Sequence, residues 1–361
     1  MIFNTDRLPI RALSFLLLLL ALTLAPALFA DSGSKGCAPL EGSTIRWVVP
    51  NKPGGGYDAY SRLIQPFLEN RLDVQVRIEN RPEAGGVVGA LMIRDAAPDG
   101  KTLGLINAAG LLASRVVENG QEPDVATDFT ILAQVVSNQA VLFTGTDSGF
   151  RDINELISAS LTRPIVFGVR DAGSTNFFTA PVIAELLGTD YALVSGYVGS
   201  AARTLALMRG EVDVVVGNFE SLRSQVKAGE LIPLLQLTAS AESGLDIPQL
   251  GGPTGVASRR AAVTGRTPQQ AEQAADDLAL IAGAGRLVVA PAGLPAHLSV
   301  CLETALGEIL QSPGFLQAAK RARLRIEYQD SATAYQGLMA GARGVDQFRD
   351  LINTAIRQVR E

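Results

Sequence analysis

The 361-residue chain has one histidine, two cysteines and only 6% aromatic residues. With His297 alone, no paired-histidine zinc motif, three-histidine site or zinc finger can be assembled. Cys37 and Cys301 cannot ligate an iron–sulfur cluster by themselves. Charge is scarce too, at 19%, and 31 Lys and Arg against 36 Asp and Glu leave a net −5. A mildly acidic chain poor in aromatics is unsuited to nucleic acid. No G-x-S-x-G elbow occurs, and a Ser–His–acid triad would have to recruit His297 at a helix start. Gly100-Lys101-Thr102 imitates the end of a phosphate-binding loop, but Asp95 stands where the first glycine belongs. Paired acids for glycoside hydrolysis depend on a spacing that exists only in the fold, so a secreted hydrolase stays open as an alternative. No metal or cofactor is expected. Glycine, in contrast, is plentiful, with 36 residues.

Residues 1–30 read as a secretory signal peptide. Arg7 and Arg11 precede an apolar run from Leu13 to Leu24, followed by the small residues of Ala25–Ala30. A membrane anchor needs about 20 apolar residues, and Pro26 and the polar Asp31–Lys35 stretch arrive too soon. Cleavage is expected near Ala27 or Ala30. Lipoprotein processing at Cys37 is the alternative, although Ser34-Lys35-Gly36 lacks the small apolar context. Export into an oxidising compartment makes Cys37 and Cys301 candidates for a disulfide. The other reading is two unrelated thiols, with Cys301 a small core residue.

Along the rest of the chain, apolar runs of strand length alternate with helix-period segments, which predicts α/β layers. Ile45–Val49, Val74–Glu79 and Thr102–Asn107 read as strands. Between them lie a helix from Tyr57, with Pro66 expected to kink it, and a second over Val87–Ala97. Ile165–Val169, Tyr191–Val194 and Val212–Gly217 repeat the pattern, with helices over Phe178–Leu187 and Ala201–Met208. Two such βαβαβ units predict two lobes around a cleft. Phe129–Thr144 and Leu231–Thr238 are apolar enough to be strands crossing between lobes. The expected organisation is 31–137 as the first part of lobe 1, 138–238 as lobe 2, and 239–361 returning to lobe 1. Gly244–Arg266 reads as an extended loop, with 251–266 long enough to cover the cleft or a partner surface. A capping box at Thr267–Gln270 then starts a helix, and Leu287–Pro291 is a further strand.

Two glycine loops follow the first two strands: Pro53-Gly54-Gly55-Gly56-Tyr57-Asp58 and Asn80-Arg81-Pro82-Glu83-Ala84-Gly85-Gly86. Glycine lets backbone N–H groups converge on a ligand, and a helix N-terminus adds positive potential. Both loops sit where open α/β sheets bind ligands, at the carboxyl ends of parallel strands.

These loops, with Trp47–Pro50, Ala97–Leu103, Tyr197–Ala201, Gly210–Asp213, Lys227–Leu231 and Ala290–Pro295, resemble the solute-binding proteins of tripartite tricarboxylate transporters. The resemblance runs in order through nearly all of the mature chain. It implies a two-lobed periplasmic binding protein, each lobe a mainly parallel sheet flanked by helices. Such a protein is a monomer that closes on a small carboxylate in the periplasm and delivers it to membrane permease subunits. A sensory protein presenting its closed form to a receptor would use the same site. Carried over by position, Gly54–Asp58 and Ala84–Gly86 would hold one carboxylate from lobe 1, with Asn107 facing the same cleft. Lobe 2 would add Ser174, Thr175, Asn176, Tyr197, Gly199 and Asn218. Ser174 or Thr175 can equally be a helix cap and Asn218 a turn residue. Pro181, inside the same predicted helix, leaves its start open. Lys52 and Arg170 are the candidate cations at the cleft mouth, where family members often carry an apolar or small residue in place of Lys52.

Overall fold

The computed structural model describes residues 36–116, 123–171, 174–197, 199–237 and 245–360. The predicted signal peptide lies outside them. No described helix is long and apolar enough to cross a membrane.

The first βαβαβ unit consists of β1 (Thr44–Val49), α1 (Gly56–Leu72), β2 (Gln75–Asn80), α2 (Val87–Arg94) and β3 (Thr102–Asn107). Its strands are parallel, with β1 between β2 and β3. Helix α3 (Ala108–Ser114) follows, then β4 (Phe129–Val136) and β5 (Ala140–Gly145). The apolar run read as one crossing strand is therefore two strands. They break at Ser137-Asn138-Gln139 and join different sheets.

The second unit contains α4 (Ile153–Ala159), β6 (Ile165–Gly168), α5 (Thr175–Leu187), β7 (Tyr191–Val194), α6 (Ser200–Met208), β8 (Val215–Asn218), α7 (Phe219–Lys227) and β9 (Leu231–Gln236). Strands β6 and β7 are parallel, and a parallel bridge at Phe167 and Val214 ties β6 to the chain entering β8. Strand β5 runs antiparallel to both β8 and β9. Strands β6, β7, β8 and β9 thus run the same way and β5 alone is reversed, so lobe 2 is mainly parallel, as expected, with one antiparallel crossing strand.

The remaining chain forms α8 (Val256–Arg260), α9 (Pro268–Gly283), β10 (Arg286–Pro291), α10 (Ala296–Gln311), α11 (Pro313–Arg321), β11 (Gln329–Asp330), α12 (Ser331–Val345) and α13 (Arg349–Arg360). The segment read as a wholly extended loop contains α8. A 3-10 turn, Asp346–Phe348, separates α12 from α13. The first sheet has the order β11-β4-β10-β3-β1-β2, with β10 antiparallel to both β3 and β4.

Strand alternation sorts the core. Ile45, Trp47 and Val49 of β1 face one cluster, which includes Ile64 and Leu68 of α1 and Leu302 and Leu306 of α10. Val48, between them, joins the cluster on the opposite face. That period of two is what a strand buried on both faces requires. Ile64 and Leu68 are fully buried, and α1 continues through Pro66. Their burial, at about 1.5–3 kcal/mol each, offsets the proline's cost. The opposite-face cluster runs on into lobe 2 and gathers Phe177 and Phe178 of α5 with Leu278 and Ile281 of α9. Helices α8, α9 and α13 all contact α5, and Phe178 meets Phe348 edge-on at 5.7 Å. The returning segment therefore supplies strands to the first sheet and helices that seat on the second lobe.

Cys37 and Cys301 are joined as a disulfide, with their Cα atoms 5.5 Å apart. It pins the chain just before β1 to α10.

Candidate functional site

A cleft of about 560 Å³ opens at the carboxyl ends of the parallel strands of both lobes. Loops following β1, β2, β3, β6, β7 and β8 all reach it, as strand-end binding in α/β sheets requires. From the first glycine loop Gly55, Gly56 and Tyr57 line the cleft, together with Lys52 and, from the second loop, Pro82. Asn107, Thr175, Asn176, Gly199 and Asn218 line it as well, and so does Arg170.

Gly54, Asp58, Gly86 and Ser174, also expected at the site, support it without lining it. Asp58 is 4% exposed and accepts hydrogen bonds from the Gly54 N–H at 3.0 Å and Arg62 Nε at 2.9 Å. Burial pushes its carboxyl up, but those bonds outweigh it and hold the group below the usual aspartate value. Asp58 is thus the clasp of the glycine loop. Gly54 takes φ +78°, and its N–H is spent on that clasp. Ala84, Gly85 and Gly86 form a 3-10 turn with Glu83. Gly86 has φ +102°, and a Cβ there would lie 2.4 Å from the Pro50 carbonyl oxygen. The glycine is needed for the turn to pass against the end of β1. Ser174 caps α5 through the Phe177 N–H, and its hydroxyl donates to the Asp171 carbonyl at 2.7 Å. Tyr197 does not reach the cleft, because its hydroxyl donates to Glu211 at 3.2 Å. Residues of 251–266 do not line the cleft. Arg260 donates to the Leu187 carbonyl and Gly252 to Asp276, so this segment packs on α5 and α9 instead.

Several lining side chains are engaged within the protein. Asn176 Oδ1 accepts from the Arg170 N–H at 2.9 Å. Asn218 caps α7 and its amide donates to Asn138 at 3.4 Å. Asn107 donates to Thr175 Oγ1 at 3.5 Å, a contact from one lobe to the other.

Two arginines that sequence reading passed over complete the lining: Arg203 and Arg286. Arg286 opens β10, opposite Asn107 in the register with β3. Because β10 runs antiparallel, its first residue lies at the carboxyl end of β3, on the cleft side of the sheet. Its guanidinium lies 4.8 Å from the ring centres of both Tyr57 and Tyr60. Such contacts are worth about 0.5–2 kcal/mol each, more when desolvated. Burial raises the Tyr57 phenol pKa against the opposing pull of Arg286 and Arg170. Tyr60 is fixed from its far end, its hydroxyl donating to the Arg325 carbonyl at 2.7 Å. Gly56 makes room for this stack, since a Cβ there would sit 3.1 Å from Arg286 Nη2.

Arg203 lies one turn into α6 and is 7% exposed. Desolvation, reinforced by the neighbouring Arg170 charge and only partly countered by Asp171, brings its pKa down to about 10. Arg170 itself is paired with Asp171, Nε to Oδ2 2.7 Å. Among the described residues, the cleft therefore presents Lys52, Arg170, Arg203 and Arg286 against the carboxylate of Asp171. The sequence signal for Arg286 was an arginine opening an otherwise apolar strand. For Arg203 it was a charge on the apolar stripe of a short helix. Neither says that both side chains share one cavity.

Residues 60–250 match the model of a family described as the tripartite tricarboxylate transporter family receptor. Among curated proteins, the chain is similar to the UPF0065 protein of the tcbD–tcbE intergenic region in Pseudomonas sp. (strain P51). That match is 31% identical over 185 residues and covers 51% of this chain. It spans 55%, about half, of that relative. Among solved structures, one from R. palustris with adipate superposes with a TM-score of 0.65 at 21% identity, covering 87% of this chain and 97% of that one. MatC from Rhodopseudomonas palustris, with bound malate, gives 0.64 at 19%, covering 86% and 99%. At these identities the likeness to solved structures is one of fold.

Proposed function

Because the chain belongs to the tripartite tricarboxylate transporter receptor family, we propose that it is an exported solute-binding protein that captures a small organic carboxylate between its lobes. Delivery of the liganded form to membrane permease subunits is part of the same proposal, as is the periplasm as its place of work. The observation that carries the reading is electrostatic. Among the described residues, four cationic side chains meet one carboxylate in the cleft of a chain whose net charge is −5. A cleft with low-dielectric walls focuses that local potential and draws in anions. Guanidinium groups suit carboxylates because two N–H donors can meet two oxygens. The fold neighbours with malate and adipate support a carboxylate as the ligand class.

The proposed cycle is capture and closure without turnover. The crossing at Ser137–Gln139 is the proposed hinge. Residues 31–137 and most of 239–361 would form one body, and 138–238 the other, with α13 riding on α5. The test is a thermal-shift screen of the mature protein against organic acids, sugars and amines. Stabilisation by carboxylates is expected. Stabilisation by a sugar or amine, with none by any carboxylate, would overturn the reading.

A further inference from the structure

We propose that Arg286 and Arg203 are the specificity-determining residues of the cleft, one from each lobe, each receiving one anionic group of a ligand that spans the two. This rests on the carboxylate reading above and deepens it.

The four cations of the cleft are not equivalent. Arg170 has Asp171 as its partner, and Lys52 is exposed. Arg286 and Arg203 are 8% and 7% exposed. Nε of each is buried without a hydrogen-bond partner, and neither guanidinium has an ion pair among the described residues. A guanidinium taken out of water without a counter-charge is costly, and structural arginines in cores are normally paired or hydrogen-bonded. The aromatic faces of Tyr57 and Tyr60 hold Arg286 in place but leave its N–H edge unsatisfied. An anionic group entering the cleft supplies what is missing.

Placement then sets the rule of selection. Arg286 belongs to the first sheet, through its register with Asn107 and Val136. Arg203 belongs to α6 of the second lobe. A monoanion satisfies one guanidinium and leaves the other buried and unpaired. A ligand with an anionic group at each end satisfies both and bridges the lobes. Sites that would be left with an unpaired buried group discriminate far more strongly than apolar pockets do. Lysine cannot replace either arginine without loss, because it has no planar fork of donors.

The test is calorimetric titration of the mature, oxidised protein with a series of α,ω-dicarboxylates, each beside the monocarboxylate of equal carbon number. The best dicarboxylate is expected to bind at least 30-fold tighter than its monocarboxylate. Arg286→Gln and Arg203→Gln should each cut that ratio to below threefold, with circular dichroism and melting confirming the fold. Arg286→Lys, which keeps the charge and the fold, should lose at least tenfold in dicarboxylate affinity. Arg77→Gln removes an exposed charge outside the cleft and should change nothing. If carboxylates bind but the monocarboxylates bind equally well, or either Gln variant keeps wild-type affinity, this assignment fails while the carboxylate reading stands. If no carboxylate binds at all, both fail.

Discussion

Removing the Cys37–Cys301 disulfide offers the sharpest check on how the first lobe is held together. The two residues are 264 positions apart. In the chain-entropy account, closing a loop of that length restricts the unfolded ensemble by about 19 cal/mol/K, or about 5.6 kcal/mol at 25 °C. Measured disulfide contributions fall short of this, typically about 2–4 kcal/mol, partly because unfolded chains are not random. A loss of about 3 kcal/mol is the working figure. At about 2.1 cal/mol/K per residue, a chain of this length unfolds with an entropy of about 0.76 kcal/mol/K. The Cys37→Ala/Cys301→Ala variant should therefore melt about 4 °C lower than the oxidised protein. Alanine is preferred to serine because both positions are buried, at 5% and 2% exposure, and a hydroxyl would add an unsatisfied polar group. Scanning calorimetry reads the shift, and thiol titration of the denatured, unreduced protein should find no free cysteine. Ligand affinity should hold, because neither residue lines the cleft. A shift below about 1 °C, or two titratable thiols, would refute the reasoning.

Gly86→Ala meets both a left-handed φ and the Pro50 carbonyl oxygen at 2.4 Å, so it should cost about 2 kcal/mol or more. Gly54→Ala, with φ +78° but open space around it, should cost only the conformational part, about 1 kcal/mol, and equal melting temperatures for the two would be contrary. Gly56→Val should push Arg286 out of its stack and weaken carboxylate binding about tenfold, read by calorimetry. Asp58 titrates below its usual value in the folded protein, so its contribution is present above about pH 3.8 and is lost as pH falls below that. Asp58→Asn should accordingly lower stability at pH 7 by about 1–2 kcal/mol and flatten the acid limb of melting temperature against pH.

Much of the site was legible before the fold, and for definite reasons. Glycines at 54–56 and 85–86 announce backbone close to something, and strand-end placement says where. Asn107, Thr175, Asn176, Gly199 and Asn218 follow strands or begin helices, so their chain position alone directs them to the same rim. Tyr197 occupies an equivalent place, yet its hydroxyl finds Glu211 instead. Side-chain partners of that kind depend on atoms from another loop and leave no trace in local pattern. The break at Ser137-Asn138-Gln139 was equally hidden, because an apolar run reads the same whether it is one strand or two.

What the sequence determined by itself was the layered α/β architecture, since periods of 2 and 3.6 residues are local properties of the chain. It also determined the glycine loops, because their conformations belong to the residue type. Only the tertiary structure decided which charges the ligand meets. Arg286 comes to the cleft because β10 is antiparallel to β3 and its first residue lies opposite Asn107. Arg203 comes because α6 turns that face inward. Strand direction and helix rotation are set by long-range pairing and packing, so two residues 83 positions apart in the sequence become the two hands of one site only when the chain is folded.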